Sequence, residues 1–244
     1  MMFSFFKHAL PSDFFQGACD MHCHILPGVD DGFQTTELAV EALQLLERQG
    51  VRKMILTPHF MKEYPDNVKA SIVEKFKSFQ AEVAESIHIE LHLAAEHMLD
   101  ARFPEHFKEG FLTLDEGGSH VLCETSYLMY ERNYSEMLYE IMLAGYQPVI
   151  AHPERYHYAS NEQYERWKEK GYLFQLNILS LAGAYGHPAM VKSHNMLNKG
   201  MYDFVGSDMH RIGNFQKFIP KLRLSTKEIE QLRRLLDNNA KLFS

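Results

Sequence analysis

The sequence predicts an α/β fold in which parallel strands and helices alternate around a closed barrel. Three observations carry this. Short apolar strand signals alternate with amphipathic helical signals along all 244 residues, as βαβ crossovers require. Neither a low-complexity linker nor a composition break divides the chain, so a single domain over 1–244 is expected, with 1–17 as an N-terminal extension. Residues able to bind metal stand at the C-terminal ends of nearly every predicted strand. In a barrel those ends form one ring, whereas in an open sheet the outer ones lie far apart. No glycine-rich dinucleotide fingerprint follows the first strand.

The elements follow in order. Residues 17–23 read as a strand. Thr35 and Thr36 precede a helix over 37–46 that puts Leu38, Ala42, Leu45 and Leu46 on one face, and Gly50 ends it. A short apolar strand over 51–57 finishes at Pro58-His59. A long helix over 67–86 carries a core stripe of Ile72, Phe76, Phe79 and Val83. Strands over 88–95 and 121–123 lead into Glu96 and Glu124. Helix 134–143 precedes strand 148–151, which ends at His152. Helix 162–170 precedes strand 173–176, which ends at Asn177. Helix 188–199 precedes strand 203–205, which ends before Ser207-Asp208, and helix 226–242 closes the chain. That makes about seven β–α units.

An apolar fraction of 45% and a charged fraction of 23% are ordinary for a globular protein. The formal charge of −7 and the lack of a long basic stripe argue against nucleic-acid binding. Cys19, Cys23 and Cys123 make no disulfide framework, and a reducing cytoplasmic setting fits them. Neither Cys23 nor Cys123 is followed by an arginine at the spacing of a phosphate-cradling loop, so they are read as packing residues. The apolar start, 1–8, is too short to span a bilayer and lacks the pattern of a signal peptide. It is expected to cover a barrel end or a subunit contact, without stable membrane insertion.

The strand-end set comprises His22, His24, Asp31, His59, Glu96, Glu124, His152, Asp208 and His210. His22 and His24 lie two apart on a strand and so share a face. The acidic pair Asp30-Asp31 offers hard oxygen ligands beside them. One ion takes about four to six ligands, so nine donors suggest two or three ions. Mixed nitrogen and oxygen donors suit manganese, iron or zinc better than calcium. Taken singly, each of these residues also fits an ordinary loop or surface role. His8, His88, His92, His106, His120, His157, His187 and His194 are read that way, and His97 is set aside as a mere neighbour of Glu96.

Asp20-x-His22-x-His24, Asp30-Asp31-Gly32, Thr57-Pro58-His59, Ala95-Glu96, Glu124, Ala151-His152-Pro153-Glu154-Arg155-Tyr156, Gln175-Leu176-Asn177 and Ser207-Asp208-Met209-His210 occur in this order. Together they resemble the PHP (polymerase and histidinol phosphatase) superfamily. Within it they look most like the bacterial manganese-dependent tyrosine phosphatases of capsule and exopolysaccharide synthesis. The resemblance runs from about residue 18 to 240. It implies a distorted seven-stranded (β/α)7 TIM-like barrel with three divalent ions, manganese first and iron, zinc or magnesium as alternatives. One ion would be held by His22, His24, Glu96 and Asp208, another by Glu96, Glu124 and His152, and a third by Asp31, His59 and His210. A metal-activated hydroxide would attack phosphotyrosine in line, with no phosphoenzyme.

Under the same resemblance Glu96, His210 and Arg155 are the catalytic candidates. Arg155 is the expected phosphate clamp, since guanidinium geometry matches phosphate oxygens. A second arginine, common in such enzymes after the final Asp-x-His, is displaced here. Arg211 or Lys217 would replace it. Phe60, Tyr64, Tyr127, Tyr130 and Tyr156 lie near strand ends and are candidates to flank an aromatic substrate, Tyr127 being carried forward as a substrate contact. The implied substrate is a phosphotyrosine protein, with a tyrosine autokinase of polysaccharide export as partner. The rival readings are a small-molecule phosphomonoesterase such as histidinol phosphatase, a nuclease, and a non-catalytic metal-binding module.

Overall fold

The computed structural model describes residues 7–128 and 133–243. Strand β1 (Cys19–Cys23) is followed by α1 (Thr36–Gln49), β2 (Lys53–Leu56), β3 (His59–Phe60) and α2 (Lys69–Val83). Next come β4 (Glu90–Leu93), β5 (Glu96–Met98), α3 (Phe103–Glu109) and β6 (His120–Glu124). Helix α4 (Tyr134–Leu143) leads to β7 (Gln147–Ala151), α5 (Asn161–Glu169) to β8 (Leu173–Asn177), and α6 (His187–Asn198) to β9 (Phe204–Gly206). Helices α7 (Ile212–Phe218) and α8 (Thr226–Ala240) follow, and a 3-10 turn over Lys241–Phe243 ends the described chain. No helix of the described residues is long and apolar enough to cross a membrane.

The fold is α/β with a curled parallel sheet. Strands pair as β1-β2-β4 and as β3-β5-β6-β7-β8-β9, every pair parallel. The expected strands over 51–57 and 88–95 are found shorter, as β2 and β4, and each is followed by a brief strand that was not anticipated, β3 and β5. Thr57-Pro58 separates β2 from β3, because proline has no N–H for the ladder. Ala94-Ala95 separates β4 from β5. Single bonds carry the pairing across these breaks: Thr57 N to Cys23 O at 2.9 Å and Glu96 N to Pro58 O at 3.1 Å. Beyond β9 the chain meets the end of β1, with Asp208 N donating to His22 O at 2.8 Å and His24 N to Met209 O at 3.0 Å.

Most helix expectations stand within two or three residues, and the long helix of 67–86 is shorter, at 69–83. The buried stripe of α1 is Ala39, Ala42, Leu43 and Leu46, while Leu38 is 48% exposed. The buried stripe is thus rotated by about one position from the expected one. On α2 Phe76 is only half-buried, whereas Ile72, Phe79 and Val83 are buried. Helices α3 and α7 were not anticipated. Each has seven residues, too few for a periodicity to declare itself. All three cysteines are buried and free, and burial pushes their thiols up, away from reactivity. The start of the N-terminal extension, 1–6, lies outside the described residues, while His8 pairs with Leu224 in an antiparallel bridge.

Helix α8 ties the first and last strands together. Buried Asn239 donates to Cys19 O at 2.8 Å and accepts from Val205 N at 3.2 Å. The helix starts at a reciprocal cap in which Ser225 Oγ accepts from Glu228 N and Glu228 Oε2 accepts from Ser225 N at 2.8 Å. Ser225→Ala is therefore expected to destabilise the fold by about 1 kcal/mol, read as a lower urea midpoint with an unchanged slope.

Candidate metal centre

The centre begins with a defect in β1. Asp20 pairs with Met54 but Cys23 pairs with Leu56, so β1 carries one residue more than β2 across this stretch. Such a bulge re-aims side chains. Met21 packs in a smaller cluster with Ile55 and Leu122, whereas Cys23, two residues on, joins the larger one. His22 and His24 turn toward Glu96 on β5 and Asp208 beyond β9. The backbone is tight around them. A Cβ at Gly32 would stand 2.1 Å from the His24 carbonyl oxygen, and one at Gly206 2.7 Å from His22 Cβ. Two further members, His152 (φ 31°) and Asp208 (φ 49°), hold left-handed backbone that non-glycine residues rarely adopt.

The expected strand-end residues are brought together. Their liganding atoms form three overlapping groups, each within 4.8 Å: His22, Glu96, His152 and Asp208; His59, Glu96 and Glu124; and His24, His59 and His210. Asp31 sits at the rim, its Oδ1 3.5 Å from His59 Nε2 and 3.4 Å from His210 Nε2. The distances run across the expected sets as well: His24 Nε2 lies 3.3 Å from Glu96 Oε2 and 3.4 Å from Asp208 Oδ1, beside His22, while its ring stacks 3.9 Å from that of His210, and His152 Nε2 lies 2.9 Å from Glu96 Oε1 and 4.0 Å from Glu124 Oε2. Glu96 belongs to two of the groups, as a bridge would.

The donor chemistry fits a cation. Gln175 Oε1 can only accept, so His22 Nδ1, 3.0 Å away, carries the proton, and Gln175 Nε2 is held by Leu176 O at 2.7 Å. Asp30 Oδ2 holds His24 Nδ1 in the same way at 2.9 Å. Both Nε2 atoms are thereby left as lone pairs, 3.2 Å apart and 3.2–3.5 Å from Glu96 Oε2 and Asp208 Oδ1. Glu96 Oε2, Asp208 Oδ1, Glu124 Oε1 and His59 Nδ1 are all buried with no hydrogen-bond partner. Buried donors left unmatched in this way are costly, and lone pairs aimed at one another need a shared positive charge. A proton on Nε2 is the alternative to a cation there: burial alone would press His22 toward neutrality, but the Glu96 and Asp208 carboxylates outweigh it and lift its pKa to about 9. Those two carboxyls, which burial would raise, are held well below their usual range chiefly by His22. Such mutual support shows how much charge the cluster concentrates.

Several residues have roles that the sequence did not disclose. Asp30, expected as an oxygen ligand beside Asp31, instead orients: besides His24 it accepts from His59 N at 3.0 Å and Gly32 N at 2.9 Å. Gln175 also accepts from His152 N at 3.2 Å, tying β1 to β7 through β8. Asn177 Nδ2 donates to Asp208 Oδ2 at 2.8 Å. The two-residue spacing of Gln175 and Asn177 at a strand end was the available signal. Tyr185 carried none, yet its ring lies against Arg155. Buried Glu154 accepts from Asn177 N, Ser180 Oγ and Tyr202 Oη, which pins the turn that carries Arg155.

Arg155 reaches the cluster, with Nη1 2.7 Å from Asp208 Oδ2. Its guanidinium lines a cleft with Asp31, Asp208, His210 and Arg211. Arg211 thus stands at the same cleft, while Lys217 lies over Phe218 on α7. The aromatic candidates divide. Tyr64 stacks on His59 at 6.1 Å, and Tyr127 donates to Glu124 Oε2 at 3.1 Å. Phe60 is buried against His97 and His106, and Tyr156 is buried with its hydroxyl on Ala151 O, so both pack rather than face a ligand. Tyr130 lies outside the described residues.

A family model described as capsular polysaccharide synthesis, CpsB/CapC, matches residues 18–240. Tyrosine-protein phosphatase YwqE of Bacillus subtilis is 29% identical over 197 residues, covering 79% of this chain and 77% of that protein. Tyrosine-protein phosphatase CpsB of Streptococcus pneumoniae is 30% identical over 204 residues, covering 79% of this chain and 83% of the relative. Among solved structures, one from a study of YwqE and CpsB as unique metal-dependent tyrosine phosphatases superposes with a TM-score of 0.77 at 27% identity, covering 92% of this chain and 93% of that one. The phosphotriesterase homology protein of Escherichia coli matches with a TM-score of 0.58 at 13% identity, over 93% and 98% of the two chains, a likeness of fold alone.

Proposed function

The chain belongs to the CpsB/CapC family of capsular polysaccharide synthesis, and from that premise we propose that it is a metal-dependent protein-tyrosine phosphatase, a phosphoric monoester hydrolase. The observation that carries the metal part is the convergence of buried donor atoms of His59, Glu96, Glu124 and Asp208 that face one another without a hydrogen bond. The tyrosine part is supported by relatives named as tyrosine phosphatases. We read β2 with β3, and β4 with β5, as single kinked strands, which makes seven strand positions around a distorted barrel.

Three divalent ions, manganese first, are the cofactors that nine donors suit. His22, His24, Glu96 and Asp208 would hold one, Glu96, Glu124 and His152 a second, and Asp31, His59 and His210 a third. When bound, such ions supply Lewis acidity and a water acidic enough to deprotonate near neutral pH. Gln175 and Asp30 keep the Nε2 lone pairs of His22 and His24 turned inward. Arg155, whose flanking groups keep it protonated, binds the phosphate oxygens. The phenol of tyrosine has a pKa of about 10, so its departure needs little acid assistance. His210 Nδ1 is bonded to Asp208 O at 3.0 Å and its Nε2 faces Asp31. It is therefore read as a ligand rather than a proton donor.

Buried free cysteines support a reducing, cytoplasmic setting, where a tyrosine autokinase of polysaccharide export would supply the phosphoprotein. The test is the hydrolysis of a phosphotyrosine peptide beside histidinol phosphate by the manganese-loaded protein. Preference for the peptide is expected, and a clear preference for histidinol phosphate overturns the reading. Asp30→Asn should lower manganese affinity about 10- to 100-fold, measured by competition with a chelating dye, with the fold retained.

A further inference from the structure

Arg155 does not reach the cluster as a free side chain. Its Cζ lies 4.2 Å from the centroid of the Tyr127 ring and 4.2 Å from that of Tyr185. The two tyrosines come from separate segments, one after β6 and the other after β8. Each is itself anchored to a carboxylate of the cluster. Tyr127 Oη donates to Glu124 Oε2 at 3.1 Å. Tyr185 Oη lies 3.4 Å from Asp208 Oδ2 and accepts from Asn177 Nδ2 at 2.9 Å. Arg155 then closes the loop through Nη1 and Asp208 Oδ2. One ring of contacts therefore links two candidate ligands, two aromatic faces and one guanidinium.

We propose that Tyr127 and Tyr185 form an aromatic clamp that positions the Arg155 guanidinium to receive the substrate phosphate, resting on the phosphatase reading above. Both are positioning residues and act through Arg155. The physics is direct. A guanidinium is attracted to an aromatic face, and the contact strengthens where water is scarce. A long arginine side chain loses rotamer freedom on binding a ligand. Flanking rings remove that freedom beforehand, so phosphate meets a preorganised fork. The guanidinium has five N–H donors, and Nη1 is committed to Asp208. Clefts lie on either side of the clamp. One is lined by Tyr127, Arg155, Tyr185 and Lys192, the other by Arg155, Tyr185, Asp208 and Arg211. Arg155 lies over one face of the Tyr127 ring, and Tyr127 also lines the neighbouring clefts.

The test compares Tyr185→Leu with Tyr185→Phe in the metal-loaded protein. Two readouts serve: KM and kcat on a phosphotyrosine peptide, and the dissociation constant for inorganic phosphate by calorimetry. Manganese stoichiometry is measured alongside. The leucine variant should raise KM and weaken phosphate about tenfold, with metal content kept and kcat changed less. The phenylalanine variant should hold both values within about twofold of the wild type. Wild-type KM and phosphate affinity in the leucine variant, or equal impairment of both variants, overturns the clamp. Loss of bound metal in the leucine variant also overturns it, since Tyr185 would then act on Asp208. Should that variant fail to fold, the wild type loaded with zinc decides. Its Arg155 side-chain resonances should be shifted upfield by the ring currents, and unshifted resonances contradict the proposal. A wild type that hydrolyses no phosphotyrosine would sink the functional reading, while the phosphate and resonance measurements would still judge the clamp.

Discussion

Glu96→Ala is expected to lower kcat/KM on a phosphotyrosine peptide at least about a thousandfold, or on the order of 4 kcal/mol of transition-state stabilisation. Glu96 is the carboxylate that two of the three candidate groups share. Its Oε2 lies 3.2 Å from His22, 3.3 Å from His24 and 3.2 Å from His59, and its Oε1 2.9 Å from His152. Removing it leaves four imidazoles facing a neutral methyl group. The same change should reduce bound manganese by at least one ion per chain, measured by elemental analysis after desalting. It should also lower the thermal midpoint of the metal-free protein, because the imidazoles lose their shared counter-charge. An alanine variant with full metal content and wild-type turnover would remove Glu96 from the centre.

Arg155→Lys is expected to lower kcat/KM by about ten- to a hundredfold, as charge-assisted hydrogen bonds are worth about 1.5–3 kcal/mol. Lysine keeps the charge but not the planar fork that matches phosphate geometry. Its ammonium also cannot spread across the Tyr127 and Tyr185 faces as a guanidinium does. Manganese content should stay at the wild-type level, since Asn177 Nδ2 still holds Asp208 Oδ2 at 2.8 Å. The loss should fall mainly on KM and on affinity for inorganic phosphate. Steady-state kinetics with elemental analysis separates this from damage to the metal centre, and a lysine variant that keeps wild-type KM would take Arg155 out of substrate binding.

What the sequence disclosed and what it hid have physical causes. His22 and His24 were legible because strand geometry puts residues two apart on one side, and Asp208 and His210 because they follow an apolar strand. The nine donors were legible as a set because parallel strands point their C-terminal ends one way. How closely the groups overlap was not, since that depends on how the curled sheet brings β5 and β7 against β1. The bulge between Asp20 and Cys23 leaves no mark in composition, yet it aims both histidines. Asp30 and Asp31 look equivalent in sequence; only the fold around Gly32 turns one toward His24 and leaves the other at the rim. Tyr185 had no periodic or motif signal, because its place follows from the loop after β8. Helices α3 and α7 fell below the length at which a helical stripe can be read.

The central claim is that the buried histidine and carboxylate cluster, charged with divalent metal, hydrolyses phosphotyrosine. The most direct test is the rate of phosphate release from a phosphotyrosine peptide by the wild-type protein, first stripped by a chelator and then titrated with manganese. Activity should be absent in the stripped protein and return in proportion to manganese bound, saturating at more than one ion per chain. Undiminished turnover in the stripped protein, or none after full reloading, would contradict it.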